Sequence, residues 1–132
     1  MRDEAREGRD TVEMRFTARD LRDVRQLVSG FTEVSLGKAR TEDLVLAVNE
    51  LATNSVRHGG GEGTLRMWIE RDSVVCEIHD AGHIADRRAG QTPPTADQPS
   101  GRGLWVVNCL ADLMQIDSSP TGTVVRVQML LA

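Results

Sequence analysis

Hydrophobic and polar positions alternate along residues 11–16, with Val12, Met14 and Phe16 on one side. A period of two predicts a first β-strand with one buried face. The period then changes. Thr17 is placed as a helix N-cap, with Asp20 three residues on as a short-armed capping partner. Leu21, Val24, Leu27, Val28, Phe31 and Val34 follow at helical spacing, and Gly37 ends the connection. A second helix is expected to start at Thr41, with Glu42 and Asp43 in its first turn, where the helix dipole favours anions. Leu44, Val45, Val48, Leu51, Ala52 and Val56 form its wide apolar stripe, and Gly59, Gly60 and Gly61 stop it.

Alternation returns at residues 64–70 through Leu65, Met67 and Ile69, and again at residues 73–79 through Val74, Cys76 and Ile78. With Arg71 and Asp72 as a tight turn, these make a hairpin. Residues 81–103 break the pattern: they hold Pro93, Pro94 and Pro99 with Gly82, Gly90, Gly101 and Gly103, and few residues that could join a core. A loop of that length inside a small domain reads as a lid or binding loop. Leu104, Val107, Leu110 and Leu113 resume helical spacing, with Trp105 and Val106 widening the apolar side. Residues 114–118 and 123–130 read as a closing hairpin around Pro120, Thr121 and Gly122. Strands outnumber simple βαβ units, so the expected fold class is α+β: a two-layer α/β sandwich, one mixed sheet with helices on one face.

Composition narrows the class. A chain of 132 residues with 39% hydrophobic content is the size of one domain with one core. Residues 1–10 are nearly all charged or small and read as a flexible charged tail; residues 11–132 form the domain, with its lid at about 81–103. The net charge of −4, with arginines interleaved among acids, argues against direct nucleic-acid binding. No apolar run reaches membrane-spanning length and the N-terminus lacks a signal-peptide core, so the chain reads as cytoplasmic and without a membrane partner. Cys76 and Cys109 have no metal-ligand spacing and read as small buried hydrophobes.

Three polar groups interrupt the regular patterning. Glu50, Asn54 and His58 recur every four residues on one helix face. A carboxamide there could ligate Mg²⁺, and a carboxylate one turn away could orient or deprotonate a hydroxyl. Asp80 and Gly82 follow a strand, where a carboxylate could accept from a base amino group. Gly101, Arg102, Gly103 and Leu104 lead into a helix, and glycines before a helix N-terminus expose N–H groups for phosphate. Taken singly, each has an ordinary explanation: a solvated face beside a helix end, an Asp/Gly turn, a flexible cap. Taken together they describe a nucleotide clamp.

In this arrangement the sequence resembles the ATPase fold of DNA gyrase, heat-shock chaperones, mismatch-repair proteins and histidine kinases (the Bergerat ATP-binding fold). Within it, the resemblance is to the bacterial anti-sigma factor serine/threonine kinases, over nearly the whole chain. That resemblance implies ATP and Mg²⁺ as ligands. It implies Asn54 as the Mg²⁺ ligand, Glu50 as the catalytic carboxylate and His58 as part of the same box. Asp80 and Gly82 match the first glycine box, with Asp80 as the adenine reader. Gly101, Arg102, Gly103 and Leu104 match the second, closing on the triphosphate, and Thr123 matches a threonine near the adenine. The implied activity is phosphorylation of a serine on an anti-sigma factor antagonist. A sigma factor is implied as a further partner, and a homodimer as the assembly. The alternative is a nucleotide-binding module that sequesters its partner without phosphotransfer. Two departures bear on this. Ile84 stands where the first box usually has its second glycine, and no phosphoacceptor-histidine helix domain precedes the ATPase segment, which argues against a complete two-component histidine kinase.

Overall fold

The computed structural model describes residues 11–84, 89–91, 93 and 102–131. The expected tail, Gly101 and much of the expected lid lie outside these residues. Strand β1 (Val12–Thr17) leads through a 3₁₀ turn (Ala18–Asp20) into helix α1 (Leu21–Leu36), followed by α2 (Lys38–His58), β2 (Glu62–Glu70), β3 (Ser73–Asp80), α3 (Arg102–Leu110), β4 (Leu113–Ser119) and β5 (Gly122–Leu130). The strands form one five-stranded sheet in the order β1-β2-β3-β5-β4. The two-layer sandwich and its single helical face are as the pattern predicts. All four pairings are antiparallel, where the sequence reading had a mixed sheet. Tight turns at Arg71–Asp72 and Pro120–Thr121 join β2 to β3 and β4 to β5, and such hairpins can only pair antiparallel.

Register explains the core. Val12, Met67, Cys76, Val127 and Met114 lie in one row across the sheet, and Met14, Leu65, Ile78, Val125 and Ile116 in the next. Both rows belong to the apolar cluster that also takes Val24 and Val28 from α1, Leu44, Val48 and Leu51 from α2, and Leu104 and Val107 from α3. Among the described residues no helix is long and apolar enough to cross a membrane.

Several boundaries differ from expectation, each for a local reason. Gly37, at φ +79, ends α1 and starts α2 by itself, so α2 begins at Lys38 and Thr41 is a buried first-turn residue instead of a cap. In α1, four-residue steps from Val24 carry the buried line through Val28 and Thr32 to Leu36. Val34, about half a turn from Leu36, is 98% exposed and leaves the expected stripe. Helix α3 starts at Arg102, two residues inside the expected loop, and ends at Leu110. Asp112 diverts the chain there: its N–H donates to Gln128 O and its carboxylate accepts from Leu130 N–H at 2.7 Å. Leu113 is therefore the half-exposed first residue of β4, outside the helix stripe. Cys76 is buried as expected; Cys109, on the outer side of α3, is exposed.

The sheet's other face carries a polar row, the charged Glu13, Arg66, Glu77 and Arg126 with Gln115 at its end. Central strand β3 is flanked on both sides, so Val75 and Glu77 are buried as well as the predicted Val74, Cys76 and Ile78. Trp68, on this outer face, is 1% exposed, with the Arg126 guanidinium 5.3 Å above its ring. Burial alone would raise the Glu77 pKa, but hydrogen bonds from His79 and Arg126 outweigh it and hold the carboxyl below its ordinary value. The Leu130 N–H and then Arg40 lower Asp112 in the same direction.

Candidate functional site

The site grows from the C-terminal half of α2. Its buried side is Leu51, Ala52 and Ser55, which leaves Glu50 and Asn54 half-buried along one edge and His58 exposed at the end. The helix stops because Gly59 caps it, its N–H donating to Ser55 O at 2.9 Å. Gly60 and Gly61 then take φ +95 and +88, and the chain turns into β2.

That ending brings α2 against the end of β3. Asp80 lies beside it, and both of its oxygens are engaged. Ser55 Oγ donates to Oδ2 at 2.5 Å and Gly82 N–H donates to Oδ1 at 2.8 Å. The packing needs glycine at two points. A Cβ on Gly59 would overlap the Asp80 carboxylate, and one on Gly82 would fall 2.8 Å from His58 O. His58 thus meets this site through its carbonyl, while its ring belongs to an exposed residue. Thr123 is the register partner of Asp80, and its hydroxyl donates to Gly82 O at 2.8 Å. Ser118 Oγ contacts Thr123 Oγ1 at 2.6 Å and accepts Ile84 N–H at 2.8 Å. An ionised aspartate has only lone pairs to offer, so this end of the sheet presents acceptors.

The third part arrives with α3. Leu104 and Val107 anchor this helix in the core, and its first turn lies against α2. A Cβ on Gly103 would stand 3.1 Å from Glu50 Oε1 and 3.5 Å from both terminal atoms of the Asn54 carboxamide. The N–H groups of a helix's first turn lack intrahelical partners and carry the positive end of its dipole. Arg102, at the helix start, is exposed beside them. Ala89 and Gly90 lie near α3: Ala89 touches the core cluster, and a Cβ on the buried Gly90 would fall 2.8 Å from Leu104 O.

The predicted residues therefore fall into two groups. Glu50, Asn54, Gly103 and the start of α3 form one; Asp80, Gly82 and Thr123 form the other. Gly101 lies outside the described residues. The sequence reading missed Ser55 and Ser118. Ser55 carried a faint signal, a hydroxyl on the buried side of an otherwise apolar helix stripe; Ser118 carried none. A cavity of about 610 Å³ also opens beside Asp80, toward Arg15, Thr17, Gly60, Thr64 and His79. It shares only Asp80 with the predicted residues, so the chemistry argued from Glu50, Asn54 and α3 lies outside it.

The α2 edge thus carries a carboxylate and a carboxamide, faces the start of α3 and ends beside the Asp80 carboxylate. Residues 14–129 match the family described as Histidine kinase-like ATPase domain, and the chain belongs to that family. A serine-protein kinase RsbW of Bacillus licheniformis is 35% identical over 96 residues, which cover 61% of this chain and 60% of that protein. Among solved structures, the RsbU and RsbW domains of a Mycobacterium tuberculosis protein superpose with a TM-score of 0.65 at 17% identity, over 91% of this chain and 32% of that one. The histidine kinase domain of a blue-light activated kinase from Erythrobacter litoralis gives 0.58 at 15% identity, over 84% and 60% of the two chains. At those identities the structural likeness establishes the fold alone.

Proposed function

We propose that this chain is an ATP- and Mg²⁺-dependent serine/threonine kinase of the anti-sigma regulatory type, acting on a serine of an anti-sigma factor antagonist in the cytoplasm. The observation that carries the proposal is the approach of Gly103, in the first turn of α3, to Glu50 and Asn54. A glycine is needed where phosphate oxygens must reach backbone N–H groups, and at Gly103 even a Cβ would press against two oxygen-bearing side chains. The residues fit the ligands in kind. Asn54 offers an oxygen of the type Mg²⁺ accepts. Asp80 offers acceptors to an amino-bearing base edge. Bound Mg²⁺ would neutralise charge on the transferring phosphoryl group. The chain's own part is positioning. The α3 N-terminus holds the phosphates, Asp80 orients the base, and Glu50 accepts or orients the proton of the incoming serine hydroxyl. The 35% identity to a serine-protein kinase RsbW supports the same substrate class, and the partial coverage leaves partner choice to experiment.

One observation favours a second reading. Where a glycine would allow the lid base to flex, Ile84 is held by its N–H to Ser118 Oγ. A base fixed this way suits a module that binds nucleotide and sequesters its partner without phosphotransfer. Single-turnover transfer from labelled ATP to candidate antagonists separates the two. We expect phosphoserine on one partner, and a roughly 10²- to 10⁴-fold loss in Glu50→Gln with nucleotide affinity little changed. A wild type that binds Mg²⁺-ATP and partner together yet transfers nothing would establish the sequestering module.

A further inference from the structure

We infer that residues 1–10 dock as a strap on the outer face of the sheet, over Trp68. The apolar cluster shared with the helices includes neither Trp68 nor its row neighbour Val75, yet they are 1% and 0% exposed. The Arg126 guanidinium lies above the Trp68 ring, but that arginine side chain is itself 35% exposed. The polar atoms give the chemistry of the missing cover. Trp68 Nε1 is buried and has no hydrogen-bond partner among the described residues, and the same holds for Arg66 Nε and Thr11 Oγ1. Arg66 Nε is 3.2 Å from Glu13 Oε1, so the charges pair, but no hydrogen bond forms at that nitrogen. Indole and guanidinium nitrogens only donate, so the occupant must bring acceptors. A buried donor left without one is costly, and native structures rarely keep it so.

Register shows which segment is at hand. Val12 pairs with Met67, so Thr11, the next residue outward, comes level with Trp68, and Glu13 pairs with Arg66. Residues 1–10 therefore join edge strand β1 beside all three unpartnered atoms. Ten residues reach at most about 35 Å, and the span from β1 across to β4 is about 19 Å at the usual strand spacing. Asp3, Glu4, Glu7 and Asp10 supply carboxylate acceptors besides the backbone carbonyls. The stems of Arg2, Arg6 and Arg9 can cover an indole ring while their charged heads stay in water. Tethering gives the segment an effective concentration on the order of millimolar, which favours it over a free partner of ordinary affinity. The strap thereby gates the outer face: a second copy or another protein reaches Trp68 only by displacing it.

The experiment reads the two indole N–H signals of the full chain by NMR, with Trp105→Phe to assign them. A nitroxide is placed on Ala5→Cys in a Cys109→Ser background, where the remaining Cys76 is buried. We expect the label to broaden the Trp68 signal and leave that of Trp105, which lies on α3, unchanged. Labelled chains mixed with isotope-enriched unlabelled chains should show no broadening. Removal of residues 1–10 should speed Trp68 indole exchange at least about fivefold, the factor that one net hydrogen bond gives. An unbroadened Trp68 signal in the labelled chain overturns the inference, and so does unchanged exchange in a folded truncated chain. Broadening that appears only in the mixture overturns it in favour of cover by a second copy. Should the truncated chain fail to fold, the nitroxide measurement on the full chain decides alone.

Discussion

At Asp80 the two carboxylate oxygens accept from Ser55 Oγ and from Gly82 N–H, and the lone pairs left over are what the site can show a base. Asp80→Asn replaces one oxygen with a donor, so it breaks one internal bond and reverses the polarity offered to the ligand. We expect ATP affinity to fall about 10- to 100-fold, in the range of a charge-assisted hydrogen bond, and the preference over GTP to shrink. Calorimetry on the folded variant decides it, and unchanged ATP binding would remove Asp80 from base recognition. Ser55 belongs to the same argument. It is buried on the core side of α2, and its hydroxyl fixes the rotamer of a carboxylate that otherwise sits at the mouth of an open cavity.

Among the elements, α3 separates stability from function. Gly103 is the second residue of this helix, where alanine is no worse a helix former than glycine. Gly103→Ala should therefore fold at least as well as wild type by thermal melting. It should nonetheless bind Mg²⁺-ATP at least about tenfold more weakly, because the new Cβ would crowd Glu50 and Asn54 at the helix start. Equal affinity in the two proteins would show that phosphates do not bind beside Gly103. Much of the element order was legible, because strands with a period of two and the stripe of α2 carry strong local signals. The start of α2 was not, since Gly37 serves two helices at once through its positive φ. The end of α3 was not either, because Asp112 takes its partners from β5 and from Arg40, far along the chain. The same limit applies to the site. Glu50 and Asn54 declare themselves by helical spacing, whereas Ser118 acquires meaning only when folding brings Ile84, 34 positions away, to its hydroxyl.

For the molecule as a whole, the outer face of the sheet sets the response to acid. Glu77 is nearly buried between Arg126 Nη2, at 2.6 Å, and His79 Nε2, at 2.9 Å, and its folded pKa lies below the ordinary value. Asp112, under Arg40 and Leu130, is lowered in the same sense. A carboxylate with a depressed folded pKa stabilises the fold at pH above its unfolded value of about 4, and that contribution is lost as pH falls through the folded value. Urea unfolding between about pH 3 and 7 should show stability declining at the acid end. Glu77→Gln should flatten that decline and cost about 1–3 kcal/mol at neutral pH, toward the low end because Arg126 and His79 stay partly solvated. An acid limb identical in variant and wild type would assign the decline to other groups.

The two cysteines give the molecule a built-in clock. Cys109 is exposed on α3, while Cys76 lies in the middle of the central strand, where burial pushes its thiol pKa up. At neutral pH a maleimide should add one label per chain quickly, at Cys109, and the second only when β3 is released from both of its neighbours. The interval between the first and second adducts, read by intact mass, then measures how often the whole sheet comes apart. Saturating nucleotide should lengthen that interval if it binds the folded chain alone. Simultaneous appearance of both adducts would mean that β3 opens without global unfolding.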